Sequence, residues 1–186
     1  MIRPTHALLL LSALALPVVG AAGQPVEALA ATSPAAADCG EEAYRQLDFW
    51  IGDWDVFEAD APKGPVQARA RIERVASGCA IREQYEQTDG LVGESLLAYD
   101  PVREQWQQTW ITNRGSLMLI SGGWNRGALV LEGETHLKDG STVRQRITWR
   151  KHGDAVHESA MVSEDGGKTW RPAFDMIFRR HSAARR

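Results

Sequence analysis

From residue 52 onward the chain is cut at nearly even spacing by turn residues, leaving segments of about eight to eleven residues rich in Val, Ile, Thr, Trp and Leu. The interruptions fall at 61–64, 88–90, 100–101, 113–115, 125–127, 138–140, 153–154 and 164–167, each supplying Gly, Pro, Asn or Asp for a reversal. Connections this short join antiparallel neighbours, because a parallel crossover needs a dozen or more residues. The pattern predicts an all-β domain of about nine or ten strands. Periodicity leaves three architectures open: an open meander, a sandwich, or an up-and-down barrel that removes its edges by closing.

Within the segments the two faces are distinct. VQARARIERV places Val66, Ala68, Ala70 and Ile72 opposite Gln67, Arg69, Arg71 and Glu73. STVRQRITWR sets Val143, Gln145, Ile147 and Trp149 against Arg144, Arg146, Thr148 and Arg150. One side meets a core and the other meets water. Only EEAYRQLDFW, just before Gly52, has a helical character, and it is expected to cap one end of the sheet.

Residues 1–23 carry a basic head, an apolar run and small residues behind it, the pattern of a secretory signal peptide. The apolar run is shorter than the ~20 residues that span a bilayer, so no stable membrane anchor is expected. Residues 24–38, rich in Ala and Pro, are expected to form a flexible leader. Residues 39–181 then form one domain, and residues 182–186 a basic tail. The chain is expected to be exported, to a periplasm or outside the cell. Loss of Arg3 with the signal takes the formal net charge from −3 to −4, which argues against nucleic acid as a partner. In an oxidising compartment Cys39 and Cys79 are expected to form a disulfide. They lack the nearby His or Cys that a metal site would need, and no metal is expected. Oligomeric state is left open.

FWIGDWDV holds Gly52-x-Trp54 at the start of the first strand, and FDMIFRR brings Arg179 and Arg180 to the end of the last. This pairing resembles the calycin superfamily, whose best-known members are the lipocalins. The resemblance implies that Trp54 plugs the closed end of a barrel and that Arg179 or Arg180 packs over its ring. LDFWIGDWDVFE, GCAIREQYE, LLAYDPVREQWQQTW and SEDGGKTW together resemble a family of exported bacterial proteins of unknown function assigned to the same superfamily, over residues 47–179. That likeness implies an antiparallel, lipocalin-like up-and-down barrel with a short N-terminal helix, and brings no reaction or ligand. The glycine pattern of heme-binding nitrobindins is absent, and no cofactor is implied.

SEDGGKTW matches the Asp-box pattern, in which Ser163, Asp165, Gly167 and Trp170 are expected to staple a hairpin rather than bind sugar. REQWQQTWIT aligns Trp106, Gln108, Trp110 and Thr112 on one face, a mix of ring and amide that suits a small-molecule pocket. The expected function is binding of a small, partly apolar molecule inside the barrel, with Tyr85, Trp106, Gln108, Trp110, Gln145 and Trp149 as lining residues.

Two alternatives stand beside it. CAIREQYEQ sets Glu83 and Tyr85 beside Ile81, and a carboxyl drawn into an apolar cavity could serve as acid or base, with His157 or Arg82 as its partner. A Glu at such a place more often sits hydrated near the open rim. His157, mid-strand in DAVHESAMV and without a second histidine at i+2, fits a surface or rim role better than a metal site. The last alternative is an envelope interaction module that uses an exposed strand face. Gly-x-Ser-x-Gly, His-Glu-x-x-His, P-loop and dinucleotide fingerprints are all absent.

Overall fold

The computed structural model describes residues 39–137 and 139–182. The segments expected to be a signal peptide and a leader, and most of the basic tail, lie outside the described residues. Ten strands follow in order: β1 Gly52–Glu58, β2 Ala68–Val75, β3 Ala80–Gln87, β4 Val92–Asp100, β5 Gln105–Thr112, β6 Leu117–Asn125, β7 Ala128–His136, β8 Thr142–His152, β9 Ala155–Ser163 and β10 Arg171–Arg180. Each pairs antiparallel with the next, and β1 also pairs with β10, from Trp54↔Arg180 to Glu58↔Met176. The sheet is therefore a closed up-and-down barrel, the one solution among the three that leaves no edge unpaired.

The helical stretch is shorter than the sequence suggests. A single-turn helix, α1 (Glu42–Arg45), is followed by a 3-10 turn at Asp48–Trp50. Leu47 breaks the run, at φ −101° and ψ 13°, and this places both Leu47 and Trp50 fully inside the barrel end. The stretch does cap the sheet as expected. Arg74 holds it there, donating to the carbonyls of Gly78 at 2.8 Å and Tyr44 at 3.0 Å and pairing with Asp48.

Cys39 and Cys79 are bonded across a separation of 40 residues, tying the start of the cap to the β2–β3 connection. Their replacement by a pair of alanines should lower stability by about 2–4 kcal/mol, because the unfolded chain regains the freedom of a long loop. Urea denaturation of the oxidised and alanine forms reads that loss directly.

The interior has two halves. Around the capped end Trp50, Trp54, Trp106, Trp149, Leu47, Leu129 and Phe178 are packed without solvent contact. Trp50 is tilted against Trp149 at 5.9 Å and meets Phe178 edge-on at 6.2 Å. The half toward the 88–91, 113–116 and 137–141 loops is not filled in this way. Among the described residues no helix is long and apolar enough to cross a membrane, an observation that concerns helices only.

Candidate functional site

The unfilled half contains a cavity of about 370 Å³. Its walls come from inward positions of strands all round the barrel: Glu83 and Tyr85 on β3, Gln108 and Trp110 on β5, Met118 on β6, Gln145 and Ile147 on β8, Glu158 on β9, Phe174 and Met176 on β10. The lining is mainly apolar and aromatic with a few polar groups among it, the usual composition of a small-molecule site.

Four of the six lining residues expected from sequence are brought together here: Tyr85, Gln108, Trp110 and Gln145. Trp106 and Trp149 are not among them. Both point inward as expected, but they lie at the capped end, fully buried in the packed half. The Trp106 indole donates to Gln46 Oε1 at 2.9 Å, so it fastens the N-terminal cap rather than facing a ligand.

Trp110 closes one side of the cavity, its ring edge-on to Tyr85 at 5.9 Å. It can lie there because the inward residue beside it on β4 is glycine. A Cβ at Gly93 would fall 2.2 Å from Trp110 Cη2. Gly93→Val should therefore swing the indole into the hollow. Overpacking a solid core typically costs about 1–3 kcal/mol, and here the vacant space should keep the loss near the lower end. Gly123→Ala, where an added Cβ meets nothing within 4 Å, serves as the comparison. Chemical denaturation of both variants, with tryptophan emission as the signal, reports cost and displacement together.

Glu83 does not sit hydrated at the rim. It is buried midway along β3, where Ser95 Oγ donates to its Oε2 at 2.9 Å. Burial pushes its carboxyl up to about 7, and the Ser95 hydrogen bond only partly opposes this. Glu158 faces it from β9, on a nearly opposite wall. Its carboxyl is raised well above the ordinary range by burial and then by the charge of Glu83. The Trp149 indole is turned toward Glu158 and works the other way, although its N–H forms no full hydrogen bond. Tyr85 is also raised, first by burial and then by the negative charges of Glu158, Glu83, Glu58 and Asp89. Among the described residues its hydroxyl has the Met176 sulfur as its one partner, at 3.7 Å.

Glu158 is the ionisable site residue absent from the set expected from sequence, as are the apolar lining residues Met118, Ile147, Phe174 and Met176. Attention to His157 obscured it, yet the phase of AVHESAMV was informative. Val156 and Ala160 are buried, so Glu158 shares their inward face. His157 consequently points outward, where it pairs with Asp175. Arg82 also points outward and pairs with Glu73. The expected grouping of Glu83 and Tyr85 with His157 or Arg82 is therefore not assembled, because the barrel wall separates them.

The structural assignments fare differently. Of the two candidate arginines, Arg180 lies over the Trp54 ring at 4.0 Å, while Arg179 lies over Phe57 at 5.8 Å. In the β9–β10 connection Asp165 accepts from the Lys168 and Thr169 amides, both at 2.9 Å. Ser163 Oγ donates to Asp165 at 2.8 Å and accepts from the Gly167 amide, and the Trp170 indole donates to the Gly167 carbonyl at 3.0 Å. These bonds satisfy the turn from within, as a hairpin staple requires, and the Thr169 hydroxyl, then the Thr169 amide and the Ser163 hydroxyl, hold the Asp165 carboxyl far below the usual carboxylate range. Arg146 lies over the Trp170 ring at 4.1 Å.

The outer wall carries one apolar patch. Leu96 on β4, Ile111 on β5 and Leu117 and Leu119 on β6 are exposed, with Ile111 directly opposite Leu117 and Leu96 joined to Leu119 across Thr109. Among the described residues no group of three or more His, Cys, Asp and Glu side chains could hold a metal ion. In comparisons with known proteins, no family model and no curated protein matches the chain.

Proposed function

We propose that this chain is an exported, lipocalin-like barrel that binds a small, partly apolar molecule in the cavity at its open end. The observation that carries the reading is the 370 Å³ hollow, placed beside a fully packed half in the same barrel. A concave space of this size, mainly apolar with a few polar groups and open at one end of a rigid barrel, has the usual form of a small-molecule site. Export is supported by the disulfide and by the basic head and apolar run of residues 1–23. Kinship with the calycins is supported by the Gly52-x-Trp54 motif and by Arg180 over the Trp54 ring.

A screen of fatty acids, isoprenoids, tetrapyrroles and aromatic metabolites tests the reading, with intrinsic fluorescence and thermal shift as signals. At least one class should quench Trp110 emission and raise the melting temperature, and Trp110→Phe should remove the quenching. No response from any class at high micromolar concentration would overturn the reading.

Acid–base catalysis in the same cavity is a second reading, favoured by the Glu83–Glu158 pair. A carboxyl poised near neutrality can take or give a proton at working pH. It predicts that a bound molecule is consumed and that Glu83→Gln slows this by about 10²-fold or more. Recovery of every bound molecule unchanged would remove the catalytic reading and leave the binding one.

A further inference from the structure

We infer that the cavity takes an organic monocation, a protonated amine whose ammonium group is held between Glu83 and Glu158, with Gln108 Oε1 as a third acceptor and Trp110 against its apolar body. The inference rests on the cavity being the binding site and goes on to name the chemistry of its occupant.

Three observations carry it. The two carboxyls enter one hollow from nearly opposite walls, and no Lys, Arg or His lines that hollow among the described residues. Two buried acids with no base beside them are held toward their protonated forms, and a cation placed between them would pair with the ionised form that burial disfavours. Gln108 supplies the independent sign. The residue is only 4% exposed, it lines the cavity, and among the described residues its Oε1 has no hydrogen-bond partner. Buried acceptors are rarely left so, and a turn of the amide about its last bond would bring this one to a donor in the hollow. Finally, among the described residues the carboxyl pair receives a hydrogen bond from Ser95, to Glu83 Oε2, and the nearby Trp149 indole acts on Glu158, which leaves acceptor capacity in excess.

An ammonium group answers each point. It brings three donors and no acceptor, against three acceptors. Its charge is attracted to both carboxyls, and the indole face of Trp110 adds a cation–π contribution. A carboxylate ligand would add a third negative charge to the same space. A neutral alcohol could serve Gln108 but would leave the acids unpaired. A hydrated metal ion is poorly matched to walls made mostly of rings and aliphatic chains.

Binding must also move protons. The titratable groups facing the ammonium are Glu83, Glu158 and Tyr85, with Glu58 and Asp89 adding negative field from toward the open end. The remaining walls present neutral side chains. At neutral pH the acid pair retains protons, and an arriving cation favours their release. Affinity should therefore rise with pH between about 5 and 8, with up to about one proton leaving per amine bound.

The test uses isothermal titration of the wild-type protein with three probes of similar shape: 2-phenylethylammonium, 2-phenylethanol and 3-phenylpropanoate, with calcium as a fourth. The amine should bind roughly ten-fold or more tightly than the alcohol, and the carboxylate and calcium should be weakest. Repeating the amine titration in buffers of different ionisation enthalpy should reveal the released proton. Glu158→Gln should reduce the amine's advantage over the alcohol and lessen proton release. If the alcohol, the carboxylate or calcium binds as tightly as the amine, the inference fails while the binding barrel stands. If none of the four binds, the inference fails, and the broader ligand screen decides the binding reading separately. Because the probe series needs no variant, a misfolded mutant cannot blur the outcome.

Discussion

Lowering the pH from about 8 to about 5 is expected to stabilise this protein by about 3 kcal/mol or more through its buried carboxyls. Glu83 supplies the figure. Its folded-state value near 7 lies above an ordinary value of 4.5, so the folded state holds the proton more tightly than the unfolded chain. For an acid shifted upward, stability is full below the unfolded pKa and falls as pH rises toward the folded one. The window thus runs from about 4.5 to about 7, at about 1.4 kcal/mol per unit. Glu158 is raised for the same reason and adds to the slope. This is the reverse of the usual acid denaturation, in which carboxylates paired in the folded state lose their partners on protonation. Asp165 is such a group, but its carboxyl is held so low that its effect lies at far more acidic pH. Urea midpoints from pH 5 to 8 measure the slope. Glu83→Gln and Glu158→Gln should each flatten it and make the protein more stable than wild type at the alkaline end. A wild-type profile with no gain on acidification would mean that these carboxyls are hydrated and that the interior is not as described.

Trp54→Ala should be the most damaging change at the capped end, at about 3–5 kcal/mol. The residue is 1% exposed, and its indole donates to the Trp50 carbonyl at 2.8 Å. Arg180 covers the ring and also donates to the Ile51 carbonyl at 2.6 Å, so one side chain closes the plug and its approach. The approach itself depends on Gly52. Its φ of 142° disfavours other residues, and a Cβ there would stand 1.9 Å from Arg180 Nη1. Removing the ring therefore opens a cavity, strands a buried carbonyl and leaves Arg180 without its platform. Trp54→Phe retains most of the volume and loses the hydrogen bond, for about 1–2 kcal/mol. Denaturation of the two variants should separate the contributions of packing and hydrogen bonding. Equal losses from Ala and Phe would show that the N–H, and not the ring, is what matters.

The contrast between Trp106 and Trp110 shows how far the sequence carries. Alternation along β5 correctly places both on the inner face, since successive side chains point to opposite sides of a strand. It does not say at which depth. Four residues at ~3.3 Å each separate the two rings by about 13 Å along the strand, enough for one to lie in the packed end and the other in the hollow. Depth is set by closure and by where the N-terminal cap inserts, both of which depend on pairings distant in sequence such as Trp54↔Arg180. The same distinction separates Gln145, in the cavity, from Trp149, in the packed end, on β8. Glu158 was legible from phase alone, because its buried neighbours Val156 and Ala160 fix the inner face. That it should meet Glu83 was not, because β3 and β9 come together only across the closed barrel. The local motifs were most readable: the Asp-box bonds lie within seven residues of one another and need no knowledge of the fold.

The binding site proposed for this protein is the hollow at the open end and not the outer wall. Methyl-labelled protein, followed by NMR while each of the three phenyl probes is added, tests it most directly. Met118, Ile147 and Met176 border the hollow, whereas Leu96, Ile111 and Leu119 lie on the exposed patch outside. The account predicts saturable shifts in the first set, largest for the ammonium probe, with the second set unmoved. Shifts confined to the outer leucines and Ile111, or none in either set, would contradict it.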